Sequence, residues 1–152
     1  QHYALLKELG QQSKPVILKR GRAMRYDELM GALEYILQGG NKNVYLCERG
    51  SNSHFDHVRF EFSVSMIAKI KKETHIPIIA DASHGTGVSD LVGAVALAGV
   101  AAGADGVLLE THPDPPNSLS DKLQAISFDT FNTIIGTAKK IHRLVREGVI
   151  VS

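Results

Sequence analysis

The chain has 152 residues, of which 43% are apolar, 22% charged and 6% aromatic. That composition excludes a disordered, collagen-like or disulfide-stapled chain, and the length suffices for one hydrophobic core. Seventeen Lys and Arg against sixteen Asp and Glu leave a formal charge of +1, without the basic excess that binding nucleic acid or a membrane surface would use.

Cys47 is the one cysteine, so no intrachain disulfide forms and a reducing, cytoplasmic compartment is expected. No run of about 18 apolar residues is present to span a bilayer, and the first residues lack the pattern of a secretory leader. The chain opens on Gln1 rather than Met, which reads as a processed product or a piece of something longer.

Taken in order, Tyr3 to Leu9 reads as a helix whose own strand is absent. Pro15 to Lys19 is the first of four β-branched runs; Asn43 to Cys47, Pro77 to Asp81 and Asp105 to Glu110 are the others. None alternates between polar and apolar, which is the pattern of strands buried on both faces of a parallel sheet. Their starts lie 28, 34 and 28 residues apart, room for a strand, a loop and a crossover helix. The intervals carry the helical stripes. Tyr26 to Leu37 places Leu29, Met30, Leu33, Ile36 and Leu37 on one face, with Asp27 in its first turn, and Gly39-Gly40 stops it. Val64 to Lys72 ends in lysines. Ser89 is read as the N-cap of Asp90 to Ala102, and Phe128 to Arg146 is the longest helix. Four βα units follow a leading helix, with no linker between them, so residues 1–152 read as one domain. Strict alternation fits an open doubly wound sheet or a (β/α)8 barrel. A barrel usually takes about 250 residues, so this chain would supply half of one.

Ionisable residues gather after every strand: Lys19-Arg20-Gly21, Glu48-Arg49-Gly50, Asp81 to Gly87 with His84 inside it, and Glu110-Thr-His112, with Asp121 downstream. In either architecture the carboxyl edge of the strands is where ligands bind. Lys19 and Arg49 are read as anion-binding cations, with glycines that let backbone approach a ligand. Arg20 is equally well explained by a salt bridge to Asp27 or Glu48. His84, Glu110 and Asp121 offer one imidazole and two carboxylates, a set suited to Mn, Fe, Co or Zn, although strand-end carboxylates also serve as bases and Asp121 as a turn residue. Gly85-Thr86-Gly87 is read as a tight turn before a helix. Cys47 reads as a small buried side chain, with Arg49 near enough to lower its pKa. The stretch Ser51 to Phe62 is long for a βα loop and is placed to close over the site.

Together, Lys14 to Gly21, Gly40 to Gly50, Asp81-Ala-Ser-His-Gly-Thr-Gly87 and Glu110-Thr-His-Pro-Asp-Pro115 with Leu119-Ser-Asp121 resemble the carboxyl-terminal half of type Iβ 3-deoxy-D-arabino-heptulosonate 7-phosphate (DAHP) synthases. The resemblance covers nearly the whole chain. It implies a (β/α)8 barrel that condenses phosphoenolpyruvate with erythrose 4-phosphate at the start of the shikimate pathway of aromatic amino-acid biosynthesis. It further implies that Lys19 and Arg49 hold phosphoenolpyruvate, with Arg20 and Glu48 at the same substrate edge. His84, Glu110 and Asp121 would be three of four ligands to a divalent metal, and His84 would belong with Lys19 and Arg49 to the catalytic group. The fourth ligand, a cysteine, and the aldose-phosphate loop belong to an amino-terminal half-barrel, which becomes an expected partner. A homo-oligomer is also expected.

The sister family, 3-deoxy-D-manno-octulosonate 8-phosphate (KDO8P) synthases, shares several of these motifs and uses arabinose 5-phosphate. Ser51 to Arg59 lacks the Arg-Thr-Phe-Glu type of continuation usual in type Iβ, Ala82 stands at a usual Pro, and Lys122 and Leu123 replace a usual Gly. A non-catalytic half-barrel that binds a phosphorylated ligand or a partner chain is the alternative from another class.

Overall fold

The computed structural model describes residues 2–148; the outermost residues of the expected domain, 1 and 149–152, lie outside it. Helix α1 (Tyr3–Gly10) precedes β1 (Val16–Lys19), α2 (Tyr26–Gln38), β2 (Val44–Glu48), α3 (Val64–Glu73), β3 (Ile78–Asp81), a one-turn α4 (Ala82–Thr86), α5 (Ser89–Ala101), β4 (Gly106–Leu108) and α6 (Phe128–Arg146). The four strands form one parallel sheet in sequence order, as the repeating βα pattern predicts.

Local chemistry explains most boundaries. Glu28 in the first turn of α2 accepts the Arg25 N–H at 2.7 Å, and Ser63 and Ser127 cap α3 and α6 through their hydroxyls. Ser89 is the first residue of α5 rather than its cap, because its N–H is taken by the Leu123 carbonyl at 2.8 Å. The fourth strand is shorter than its apolar run: after Leu108 the chain leaves the sheet, and Thr111 bridges Ile126 instead.

Register divides the sheet into two unequal faces. Val16, Val44, Leu46, Ile78 and Ala80 lie on one face and pack with Leu29, Leu33, Ile36, Ile67 and Ile70 from α2 and α3 in the main core. The other face carries Ile17, Lys19, Tyr45, Cys47, Ile79, Asp81, Gly106 and Leu108. No helix among the described residues joins that face to the core. Ile17 is 50% exposed and Tyr45 37%, whereas Cys47 and Asp81 are fully buried, so the expectation of burial on both faces fails on this side at Ile17 and Tyr45. In a closed (β/α)8 barrel this second face is the packed interior, and the described residues form no strands opposite it.

Gly39 does more than stop α2. A Cβ there would meet Gly10 Cα at 2.6 Å, so α1 and α2 cross in backbone contact. Gly39→Ala is expected to lower stability by about 1–3 kcal/mol, read as a fall in the urea midpoint. An unchanged midpoint would show that the two helices can separate freely.

Candidate active site

Strand periodicity decides which strand-end charges can meet. Lys19 and Asp81 end their strands on the helix-free face. Lys19 Nζ lies 2.7 Å from Asp81 Oδ2; the lysine side chain is 38% exposed and the aspartate side chain fully buried. Asp81 Oδ2 has no well-aligned hydrogen-bond donor, so this short contact is an ion pair rather than a directed bond. The other oxygen, Oδ1, caps α4 by accepting the His84 backbone N–H at 3.1 Å. The sequence expectation of a plain turn at Gly85–Gly87 is thereby corrected. A single helical turn forms because Asp81 caps it, and Gly87 ends it at φ +69°.

That turn aims the imidazole. His84 Nδ1 straddles the Asp81 carboxylate, hydrogen-bonded to Oδ1 at 3.1 Å and 3.0 Å from Oδ2, and Nε2 lies 3.0 Å from Glu110 Oε1. Glu110 is held on two further sides: its N–H donates to Ser83 Oγ at 3.0 Å, and Gln124 Nε2 donates to its Oε2 at 3.2 Å. Asp121 completes the group. Its backbone sits at φ +52°, and its carbonyl accepts the N–H groups of Gln124 and Ala125. Aspartate tolerates that left-handed conformation better than most residues. One donor atom each from His84, Glu110 and Asp121 falls within 4.8 Å of the others. The donor set suits a divalent transition cation. An imidazole with Nδ1 on a buried carboxylate presents Nε2 as the ligating nitrogen, the arrangement typical of metal-bound histidines.

Arg49 reaches the same edge by another route. Its guanidinium lies 4.7 Å from the centre of the buried Phe60 ring, and Arg59 and Arg22 lie 5.1 and 5.8 Å from that centre. None of the three has an acidic partner among the described residues. Like charges gathered around one ring, each favoured by cation–π attraction, favour an incoming anion. The Ser51-to-Phe62 stretch carries Phe60. It is pinned at both ends, by Asn52 N–H to the Arg22 carbonyl at 2.7 Å and Arg59 N–H to the Thr86 carbonyl at 3.1 Å.

Arg20 and Glu48, expected at the substrate edge, are turned the other way. They lie on the helix-covered side and occupy each other: Nε to Oε2 at 2.5 Å and Nη2 to Oε1 at 2.7 Å. Glu48 also accepts the N–H groups of Gly50 and Ser63 at 2.9 and 3.3 Å, and Arg20 Nη1 donates to the Met24 carbonyl at 3.1 Å. The substrate-facing reading of this pair gives way to a structural one, because both charges are buried and fully engaged.

Cys47 is buried between these groups. Burial first, and the Asp81 charge second, push its thiol up to about 12, overriding Arg49. The folded protein is therefore expected to leave a thiol reagent unreacted at pH 8, with one equivalent consumed after denaturation.

Two clefts lie away from the site: one of about 580 Å³ between the starts of α5 and α6, and one of about 960 Å³ among α3, the loop after α5 and α6. Neither contains the clustered donors.

A parallel sheet with crossover helices on one face, and clustered ligand-type side chains at its carboxyl edge, defines part of a (β/α)8 barrel of the enzyme type. The chain belongs to the DAHP synthetase I family, whose profile matches residues 1–147. It is 38% identical over 141 residues to phospho-2-dehydro-3-deoxyheptonate aldolase of Thermotoga maritima, a match covering 93% of this chain and 42% of the relative. More distant are 2-dehydro-3-deoxyphosphooctonate aldolases, such as that of Xylella fastidiosa, 28% identical over 88% of this chain and 51% of the relative. The crystal structure of the Thermotoga maritima phospho-2-dehydro-3-deoxyheptonate aldolase (DAHP synthase) superposes with a TM-score of 0.91 at 37% identity, covering 95% of this chain and 43% of that one. A truncated form of 3-deoxy-D-arabino-heptulosonate 7-phosphate synthase from the same organism gives the same score and covers 55% of its chain. The chain thus spans about half the length of the relatives it matches.

The site residues that sequence reasoning missed are Asp81, Phe60 and Gln124. Asp81 had a readable signal, a carboxylate three residues before His84 where a cap would sit. Phe60 and Gln124 had none, since their partners come from distant segments.

Proposed function

We propose that residues 1–152 form the carboxyl-terminal half of a DAHP synthase barrel, which condenses phosphoenolpyruvate with erythrose 4-phosphate and water to give the seven-carbon keto-acid phosphate and inorganic phosphate. The observation that carries this reading is the convergence of His84, Glu110 and Asp121 within 4.8 Å, tied through Asp81 to Lys19. Membership of the family supports it further. The remaining barrel strands, an amino-terminal half, would cover Ile17 and Tyr45 and supply the rest of the site. The open edges of β1 and β4 favour such pairing and further self-association. A single buried cysteine suits a cytoplasmic enzyme.

In this reading Lys19 and Arg49 bind the phosphate and carboxylate of phosphoenolpyruvate and fix its C3 toward the aldehyde. Phe60 steadies Arg49 from behind, and the charges of Arg22 and Arg59 draw the anion in. His84, Glu110 and Asp121 would hold a divalent metal, Mn, Fe, Co or Zn, which when bound polarises the aldehyde carbonyl as a Lewis acid. Gln124 and Ser83 keep Glu110 turned toward His84. The bond formed joins C3 of phosphoenolpyruvate to the aldehyde carbon; water adds at C2, and the C2 phosphate leaves.

The test is phosphate release by the metal-replete protein, assembled with an amino-terminal half-barrel, from phosphoenolpyruvate with erythrose 4-phosphate or arabinose 5-phosphate in parallel. Faster release with erythrose 4-phosphate is expected. Faster release with arabinose 5-phosphate would move the chain to the KDO8P reaction. No release with either would leave a ligand-binding half-barrel.

A further inference from the structure

We propose that Asp81 is a positioning residue that couples cation binding at His84 to anion binding at Lys19; this rests on the reading of those two residues given above. Asp81 is fully buried at the end of β3. Its oxygens are unequally engaged. Oδ1 caps α4 through the His84 N–H at 3.1 Å, a task that serine or asparagine would perform as well, and it also meets His84 Nδ1 at 3.1 Å. Oδ2 is not needed for the cap. It lies 2.7 Å from the Lys19 ammonium and 3.0 Å from His84 Nδ1, so one buried carboxylate charge is shared by the side chains assigned to the two ligands.

Sharing makes the two partners compete. A cation at Nε2 draws density from the ring and strengthens the hold of Nδ1–H on the Asp81 carboxylate, hydrogen-bonded at Oδ1 and 3.0 Å from Oδ2. The hold of the carboxylate on Lys19 weakens, and the lysine, its side chain 38% exposed, turns more readily to an incoming anion. By linkage the reverse holds, and an anion that takes Lys19 leaves Asp81 to orient the imidazole. The cap alone predicts no such cooperation.

The experiment measures phosphoenolpyruvate affinity by calorimetry with and without saturating Co2+, and Co2+ affinity by its visible absorption. The wild-type protein is expected to bind phosphoenolpyruvate at least about 5-fold tighter with Co2+ present. Asp81→Asn keeps the cap and shape but loses the charge. It is expected to bind Co2+ about 10–100-fold more weakly and to bring the coupling ratio close to one. Asp81→Ser, which caps without reaching Lys19, should behave alike and serves if the asparagine variant does not fold. A wild-type ratio of one overturns the proposal without any variant, as does a ratio unchanged in a folded variant; both leave the proposed function standing. A wild-type protein that binds no Co2+ overturns the metal reading itself, and the coupling with it.

Discussion

Replacing His84 by alanine is expected to lower Co2+ or Mn2+ affinity by at least about 100-fold while leaving the chain folded. The magnitude follows from removing one of three donors, since loss of a mere supporting group around a metal already costs about 10–100-fold. The fold should survive because α4 is capped through the backbone N–H of residue 84, not its ring, and the side chain is 24% exposed. His112→Ala is the control. It lies two residues from Glu110, but its Nδ1 is engaged by the Asp114 backbone at 3.0 Å, and it is not among the clustered donors. Titration of both variants by Co2+ absorption decides the matter. Equal losses would show general disturbance of the strand end, and no loss in His84→Ala would move the cation away from this cluster.

The elements were largely legible in the sequence because each is repeated by simple periodicity: the apolar run of β2, the stripe of α2, the lysines that close α3. Half of the site was legible for a related reason. His84, Glu110 and Asp121 stand at strand ends or just beyond, and the barrel architecture sends strand ends to one rim. What the sequence could not supply is the face. Lys19 and Arg20 are adjacent cations, and the period of two in a strand sends one to each side. Choosing between them requires the register, which sets Lys19 beside Cys47 and leaves Arg20 against buried Glu48. The one-turn helix α4 was illegible because Ala-Ser-His-Gly-Thr has no apolar stripe; only the Asp81 cap and the left-handed Gly87 define it. The arginines around Phe60 come from separate segments, so no spacing announces them.

The pair that left the substrate edge yields the largest expected effect on stability. Glu48→Gln keeps the shape but turns one of two accepting oxygens into an NH2 donor and leaves the Arg20 guanidinium, 4% exposed, without a countercharge. Removing one partner of a buried ion pair costs about 3–5 kcal/mol, which in a domain of this size is a fall in melting temperature of roughly 6–20 °C. The cost falls on the site as well. Glu48 Oε1 accepts the Gly50 and Ser63 N–H groups, so it fixes both ends of the segment that carries Phe60 and, with it, Arg49. Replacing both charges with apolar residues, Arg20→Met with Glu48→Leu, should restore much of the melting temperature, because a buried pair gains little over packed hydrocarbon. Affinity for phosphoenolpyruvate should not recover in that double variant, since the anchors at Gly50 and Ser63 remain broken. Thermal unfolding and calorimetry separate the two outcomes. Recovery of both stability and affinity would show that the segment is held by its own bridge between Ser51 and Glu61 and that Glu48 serves only Arg20.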